Sequence, residues 1–283
     1  MGLYELSRTL EKFESLDKMG DPIAELVPKL FPHGPVKDLL SGTWLGHSLH
    51  PMLTDVPIGA WLSATILDLV GGEESREASE KLIGVGLLAS LPTAASGLSD
   101  WSDTMGGERR VGVVHAACNT VSLLLFGASL AARRRGRHGV GVALSLVATG
   151  ANSAGAYLGG HLSLAQGVGV DQTAFEGGPE GWTPVLPETE LPEGEPMKVD
   201  VGGTGILLFR RGNKIHALAN RCTHLSGPLD EGEFDGLTVT CPWHSSCFKL
   251  EDGSVVRGPA RAPQPAFATR INQGQIEVGA QTN

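Results

Sequence analysis

The sequence predicts a multidomain protein in which an all-α four-helix transmembrane bundle is followed by an all-β domain. Three observations carry this prediction. Four long apolar segments lie between residues 53 and 158, short strand-like segments separated by turn residues follow residue 182, and two loops within that second part each contain one Cys and one His. A length of 283 residues suits about two domains. We expect the divisions to fall at 1–40, 41–161, 162–181 and 182–283.

Residues 1–40 carry apolar side chains at helical spacing, as in Leu3, Leu6 and Leu10. This pattern predicts short amphipathic helices that lie on a protein surface or at the membrane interface. A basic start followed by an apolar run and a cleavage site is not seen, so a cleaved signal peptide is not expected. The net charge of −9 also argues against a nucleic acid as partner.

The four apolar segments span about 53–70, 82–98, 111–132 and 139–158. The third and fourth have about the 20 residues that a helix needs to cross a bilayer core, whereas the first contains Asp68. Small residues such as Gly155 and Gly159 allow the close helix packing that is typical of membrane bundles. The segments predict a multi-pass membrane protein in contact with lipid; a soluble helical bundle is the alternative.

Four histidines fall on one face of the predicted membrane bundle. His47 and His50 lie just before the first helix, His115 lies in the first turns of the third, and His161 lies just after the fourth. Ionisable side chains in membrane helices are costly and indicate function. We therefore predict a second cofactor site here. It would be one of three kinds: haem b held by two of these histidines, a bound metal, or a quinone pocket. The alternative is that each residue only caps a helix or forms local hydrogen bonds.

The membrane side on which these histidines lie is left open by the charges. Four arginines between the third and fourth helices place that loop in the cytoplasm by the positive-inside rule, which puts the histidines outside. Arg109 and Arg110 lie in the opposite loop and weaken this argument.

Residues 162–181 are rich in glycine and predict a flexible connection between the two domains. After Trp182 the pattern changes to short strands separated by turn residues, which predicts a small antiparallel β domain. The predicted strands are 197–201, 205–209, 214–218, 237–240, 266–271 and 275–278.

The two loops of this domain carry the pattern Cys222-x-His224 and Cys241-x-x-His244. Two thiolates and two imidazoles could bind one tetrahedral zinc ion. Zinc fingers usually group Cys with Cys and His with His, whereas here each loop supplies one of each.

This pattern, together with Gly227-Pro228-Leu229 and Pro242-Trp243, resembles the Rieske family. The resemblance implies a [2Fe–2S] cluster in which Cys222 and Cys241 bind the inner iron and His224 and His244 bind the outer iron. It also implies one-electron transfer, with proton uptake at the His ligands coupled to reduction.

Several positions depart from the Rieske pattern. Gly227 and Trp243 stand where respiratory-complex members have extra Cys, so no disulfide between the loops is expected. Phe248 replaces a Tyr that donates toward a ligand sulfur, although Ser246 keeps the neighbouring Ser. Fewer donors stabilise the reduced cluster less, which predicts a low reduction potential. Ser245 stands where Gly is usual, so the conformation of its loop is left open.

Residues 44–171 resemble a bacterial four-helix membrane domain of unassigned function. The resemblance rests on Gly46-His47-Ser48-Leu49-His50-Pro51 and on Tyr157-Leu158-Gly159-Gly160-His161. It implies a location in the bacterial cell membrane and says nothing about chemistry.

Together these features predict a membrane-anchored Rieske electron-transfer protein whose partner is a redox protein or a quinone. One alternative is a membrane oxidoreductase whose histidines bind haem or quinone, and another is a redox sensor or structural subunit. A Rieske oxygenase catalytic subunit is not expected, because such a subunit needs a further domain with a mononuclear iron. The acidic residues within 230–235 are expected to form a solvated face; if they flank the exposed histidines, they would instead favour a basic partner. The sequence leaves the oligomeric state open.

Overall fold

The computed structural model describes residues 2–283 and divides the chain into two compact units. The helical unit comprises the residues up to Pro32 together with Leu49–Val168, and the β unit comprises His33–Ser48 together with Gly169–Asn283. The predicted succession of a helical region with four apolar helices and an all-β domain is confirmed.

The helical unit contains six α-helices, and the four predicted apolar segments form its long ones. Each long helix extends beyond the predicted segment at both ends or at its start, and all four are long and apolar enough to cross a membrane. Gly136 follows the end of α6 with a positive φ of 74°, a conformation that glycine adopts readily after a helix. The helices are α1 Leu3–Glu11, α2 Asp17–Leu30, α4 Leu49–Val70, α5 Arg76–Trp101, α6 Gly106–Arg134 and α7 His138–Leu164; α3 Pro35–Ser41 belongs to the β unit.

The long helices form two hairpins, α4 with α5 and α6 with α7. Between the hairpins the rings of Trp61 and Phe126 stack with centroids 4.5 Å apart. Gly86 gives Trp61 the space it occupies, because a β-carbon at residue 86 would clash with the indole ring. The bundle core is therefore built around an aromatic pair contributed by α4 and α6.

A buried ion pair joins the same two helices further along. Arg133 donates to both carboxylate oxygens of Asp68, and the two side chains are only 2% and 1% exposed. Hydroxyl groups surround the pair: Ser79 donates to Asp68 at 2.7 Å, and Ser129 accepts from Arg133 at 3.1 Å. Asp68, which is costly in a lipid-facing helix, is thus satisfied inside the bundle.

Helices α1 and α2 are held against the start of α6 and the end of α7. Arg110 forms an ion pair with Asp17 at 2.6 Å, and Arg109 forms one with Asp21 at 2.8 Å. His161, near the end of α7, lies 3.0 Å from Glu11. Charged contacts therefore fix these amphipathic helices to the long helices.

The β unit contains ten strands in three antiparallel sheets. The strand orders are β1-β10-β9, β2-β3-β4 and β5-β6-β7-β8. The strands are β1 Thr183–Pro187, β2 Pro196–Val201, β3 Thr204–Arg211, β4 Lys214–Ala219, β5 Glu233–Asp235, β6 Thr238–Thr240, β7 Cys247–Lys249, β8 Val255–Arg257, β9 Phe267–Asn272 and β10 Gln275–Gln281.

Strand β3 separates two hydrophobic cores. Ile206 and Leu208 pack into one core, whereas Leu207 and Phe209 pack into the other. Alternate residues of a strand point to opposite faces, so a continuous apolar run fills both cores. The second core also contains Cys222 and Cys241, which anchors the two Cys–His loops in the interior.

Helix α3 and the residues after it pack against the loop that follows β8. The Asp38 carboxylate accepts a hydrogen bond from the Gly258 N–H at 2.9 Å. Arg261 donates to the Ser41 carbonyl at 2.6 Å, and the Thr43 hydroxyl donates to the Ala260 carbonyl at 3.2 Å. These contacts join residues 33–48 to the β unit, an attachment that the sequence analysis did not predict.

The glycine-rich residues that follow the helical unit also contact the β unit. The Gln172 N–H donates to the Thr223 carbonyl at 3.0 Å, in the middle of the first Cys–His loop. Glu176 forms an ion pair with Arg221 at 3.4 Å. Residues 169–181 therefore reach the first strand along a path that passes the candidate site.

Candidate functional site

The two Cys–His loops have the same backbone construction. In loop 1 the Cys222 N–H donates to the Gly227 carbonyl at 2.9 Å and the Ser226 N–H donates to the Cys222 carbonyl at 3.0 Å. In loop 2 the Cys241 N–H donates to the Ser246 carbonyl at 2.8 Å and the Ser245 N–H donates to the Cys241 carbonyl at 3.1 Å. Each Cys therefore begins a closed turn.

The fifth residue of each turn has a left-handed backbone. Ser226 has a φ of 67° and Ser245 a φ of 61°. This conformation is uncommon for residues other than glycine. The sequence left the conformation of the loop around Ser245 open. In the structure Ser245 adopts the left-handed conformation for which glycine would be favoured.

The thiols of Cys222 and Cys241 are buried side by side. They are 1% and 2% exposed, and they share a hydrogen bond. This bond and burial raise the pKa of Cys222 well above its usual value, whereas the same bond lowers the pKa of Cys241 to about 7. Backbone N–H groups of the loops also point at both sulfurs and favour the thiolates, the form that binds metal.

The two imidazoles lie edge to face, with ring centroids 5.1 Å apart and an interplanar angle of 83°. His224 is 7% exposed, and burial, together with the charge of Arg261, holds its pKa well below the usual value. His244 is half-buried, and its neighbour Trp243 is 49% exposed. A neutral imidazole, as favoured for His224, is the form that ligates a metal.

The donor set fits a two-iron cluster better than a single ion. Within residues 2–283, no three His, Cys, Asp or Glu side chains converge on one metal position. The thiols form one pair and the imidazoles another, which is the arrangement that a [2Fe–2S] cluster with one Cys₂ and one His₂ iron requires. A tetrahedral zinc ion needs all four donors around one point.

Gln264 supports loop 1 from the interior and was missed by the sequence analysis. Its side chain is fully buried; its oxygen accepts from the Thr223 N–H at 3.2 Å, and its nitrogen donates to the carbonyls of Ala219 and Arg221 at 2.7 and 2.6 Å. A buried amide satisfied by three backbone groups fixes the loop in place. In the sequence it is one polar residue between two prolines, which gives no signal of this role.

Ser246 supports loop 2 in a similar way. Its hydroxyl oxygen accepts a hydrogen bond from the Ala260 N–H at 2.9 Å, so its own proton remains available for another acceptor.

Phe248, in place of the Tyr of some Rieske proteins, is fully buried in the core and carries no donor. Gly227 lies so close to Cys241 that an added β-carbon would be 2.6 Å from the sulfur.

The four histidines of the predicted second site lie in three different environments. His50 and His115 lie together in the bundle, with ring centroids 6.5 Å apart. His161 contacts Glu11 and Tyr4. His47 is exposed in the part of the chain that belongs to the β unit, and its ring nitrogen lies 3.1 Å from the Ser48 carbonyl.

The site and the surrounding sheets define a class of protein, a small β domain that presents Cys and His in pairs to a [2Fe–2S] cluster. Residues 181–268 match the family model described as "Rieske [2Fe-2S] domain". The chain belongs to the Rieske [2Fe–2S] family.

The relatives described next each match about a third of the chain. The "3-phenylpropionate/cinnamic acid dioxygenase ferredoxin subunit" of Escherichia coli K12 is 33% identical over 93 residues, which are 32% of this chain and 87% of that protein. "Apoptosis-inducing factor 3" of Homo sapiens is 30% identical over 91 residues, but the chain spans only 15% of its length. The ferredoxin of carbazole 1,9a-dioxygenase from Nocardioides aromaticivorans IC177 is 27% identical, covers 35% of this chain and 98% of its own, and superimposes with a TM-score of 0.34.

The helical part matches a second family. Residues 46–172 match the model described as "Predicted membrane protein (DUF2231)". This match and the four long apolar helices agree with a membrane-associated domain.

Proposed function

We propose that the protein is a membrane-anchored electron carrier whose [2Fe–2S] cluster is held by Cys222 and Cys241 on one iron and by His224 and His244 on the other. The single observation that carries this proposal is the pairing of donors, with two buried thiols at matching positions of two identical turns and two imidazoles beside each other. Such a cluster takes up and releases one electron at a time.

We propose that electrons pass through the His244 side of the cluster. His244 is half-buried and stands next to the exposed Trp243, whereas His224 is covered. The side chains of Cys222 and Cys241 lie in the hydrophobic core, which keeps solvent away from the inner iron. A partner docking on the His244 side therefore has the shortest access to the cluster.

The partner that we propose is another redox protein. The Escherichia coli relative is named as a ferredoxin subunit of a dioxygenase, which is a carrier that works with other proteins. The acidic residues between the loops, of which Glu231, Glu233 and Asp235 are exposed, favour a partner with a basic surface. The four long helices would cross the bilayer and hold the carrier at the membrane.

The cluster and its ligands are tested on the detergent-purified full chain, with iron and sulfide assays and a low-temperature EPR spectrum after reduction by dithionite. We expect the Rieske-type signal and two irons per chain. Cys222→Ser and Cys241→Ser should abolish both. Cys247→Ser is the matched control, because Cys247 is a buried cysteine of the same domain that lies outside the loops, and it should leave the signal intact.

A redox titration followed by the same signal tests the carrier role. We expect a reversible one-electron couple at a low potential, because Phe248 provides no hydroxyl near the sulfurs. Bound zinc without iron would overturn the proposal. A cluster that is reduced and reoxidised by no protein donor or acceptor would favour the role of a sensor or structural subunit.

A further inference from the structure

The two hairpins of the helical unit contain three pairs of residues at equivalent positions. His50 on α4 faces His115 on α6, Trp61 stacks on Phe126, and Asp68 binds Arg133. In each pair the second residue lies 65 positions after the first. Helices α4 and α6 run in the same direction, so the pairs mark a pseudo-two-fold axis along the bundle, of the kind that relates parallel repeats in membrane proteins.

The histidine pair repeats this symmetry in its hydrogen bonds. His50 Nδ1 lies 3.0 Å from the Thr93 carbonyl of α5, and His115 Nδ1 lies 2.8 Å from the Gly155 carbonyl of α7. A carbonyl oxygen only accepts, so Nδ1 carries the proton in both rings and the lone pair is on Nε2. This is the state of a metal-ligating histidine, whose other nitrogen is held by a carbonyl.

Glycines leave room for both rings. Gly97 lies one helical turn after Thr93 on α5, and Gly159 lies one helical turn after Gly155 on α7. A β-carbon at residue 97 would lie 2.6 Å from the His50 ring, and one at residue 159 would lie 3.0 Å from the His115 ring. The two imidazoles therefore occupy places that glycine alone opens in the neighbouring helix.

From this geometry we propose that His50 and His115 are the two axial ligands of one haem iron, which would be bound between α4 and α6. A metal–nitrogen bond of about 2 Å on each side separates two axial ring centres by about 6 Å, close to the observed 6.5 Å. Two imidazoles complete the coordination of a haem iron. A zinc ion needs four donors, and in residues 2–283 no group of three His, Cys, Asp or Glu surrounds one position.

The amide of Asn119 lies beside the His115 ring. Its nitrogen is 3.2 Å from His115 Nε2 and 3.4 Å from Nδ1, and it donates to the His115 carbonyl at 3.0 Å. Because the amide is nearly equidistant from both ring nitrogens, it does not lie along the Nε2 lone pair, where the iron would bind. The site does not depend on the proposed cluster ligands, because its residues belong to the helical unit alone.

The test is a titration of the detergent-purified full chain with hemin, followed by the visible spectrum before and after dithionite. We expect saturation at one haem per chain and the spectrum of a low-spin haem with two imidazole ligands. His50→Ala and His115→Ala should each abolish the low-spin spectrum. His161→Gln, a change of a buried histidine of the same unit that contacts Glu11, should leave it unchanged.

Two further measurements keep binding apart from folding. Thermal unfolding of the variants in detergent, followed by helical circular dichroism, reports whether the helical unit is intact, and the EPR signal of the cluster in the same samples reports whether the proposed function fails separately. His115→Met should retain the haem and raise its reduction potential, since Met is a weaker donor to ferric iron. The absence of saturable hemin binding, a low-spin spectrum that survives loss of His50 or His115, or a haem-free metal held by the pair would overturn the proposal.

Discussion

Ser245 has a left-handed backbone conformation, so substitutions at this residue test how backbone strain affects the stability of the cluster site. A β-branched side chain at a φ of 61° is a steric outlier. Ser245→Val should therefore weaken loop 2 and accelerate release of the cluster, measured as the decay of visible absorbance in a chelator. Ser245→Gly is the control and should release the cluster no faster than the unmodified protein. Equal rates for all three proteins would mean that the conformation of residue 245 does not limit loop stability.

His216 on β4 gives the β unit a dependence on pH. It is 8% exposed, and burial lowers its pKa below the usual 6.5. The unfolded chain then binds more protons than the folded one at pH values between the lowered pKa and 6.5, so stability falls as the pH falls through this window.

The comparison with His216→Leu isolates this contribution, because the ligand histidines titrate in both proteins. We expect the unmodified chain to lose more resistance to denaturant than the variant between pH 7.5 and 5.5, followed by cluster absorbance. Parallel losses would show that His216 has the same protonation in both states.

At the scale of elements, helix α3 depends on a few hydrogen bonds for its attachment. Asp38→Ala removes the acceptor of the buried Gly258 N–H and should cost about 1 kcal/mol. We expect faster hydrogen exchange at Gly258 and faster proteolysis within 33–48. Asp38→Asn keeps an acceptor oxygen, and burial already raises the pKa of Asp38, so this variant should stay close to the unmodified protein. Exchange at Gly258 that is unaffected by Asp38→Ala would place the attachment elsewhere.

At the scale of the whole molecule, the pseudo-two-fold axis predicts that the buried ion pair tolerates reversal. Asp68→Ala alone leaves Arg133 buried without its partner and should destabilise the bundle by about 3–5 kcal/mol. The charge swap Asp68→Arg with Arg133→Asp places each charge at an equivalent position of the other hairpin. We expect it to recover a large part of the loss, measured by thermal unfolding in detergent; a swap as unstable as Asp68→Ala would argue against the symmetry.

Local patterns in the sequence predicted the parts of the molecule that depend on local patterns. Cys222, His224, Cys241 and His244 could be recognised because their spacing lies within short loops, and the long helices followed from continuous apolar segments. The sequence grouped four histidines but could not indicate that His50 pairs with His115, since this pairing arises from the packing of α4 and α6 and their neighbours. Gln264 and Asp38 were missed for the same reason, because their partners are distant in the sequence.

The attachment of residues 33–48 affects how the protein is made. The bond between Asp38 and Gly258 joins residues 220 positions apart, so the ribosome must add all four long helices and most of the sheets before α3 meets its partner. During that interval α3 is without its final contacts and is available to chaperones or proteases. A fragment that begins at Gly169 would contain both loops and all ten strands but would lack this helix, and it would expose the surface around Gly258 and Arg261.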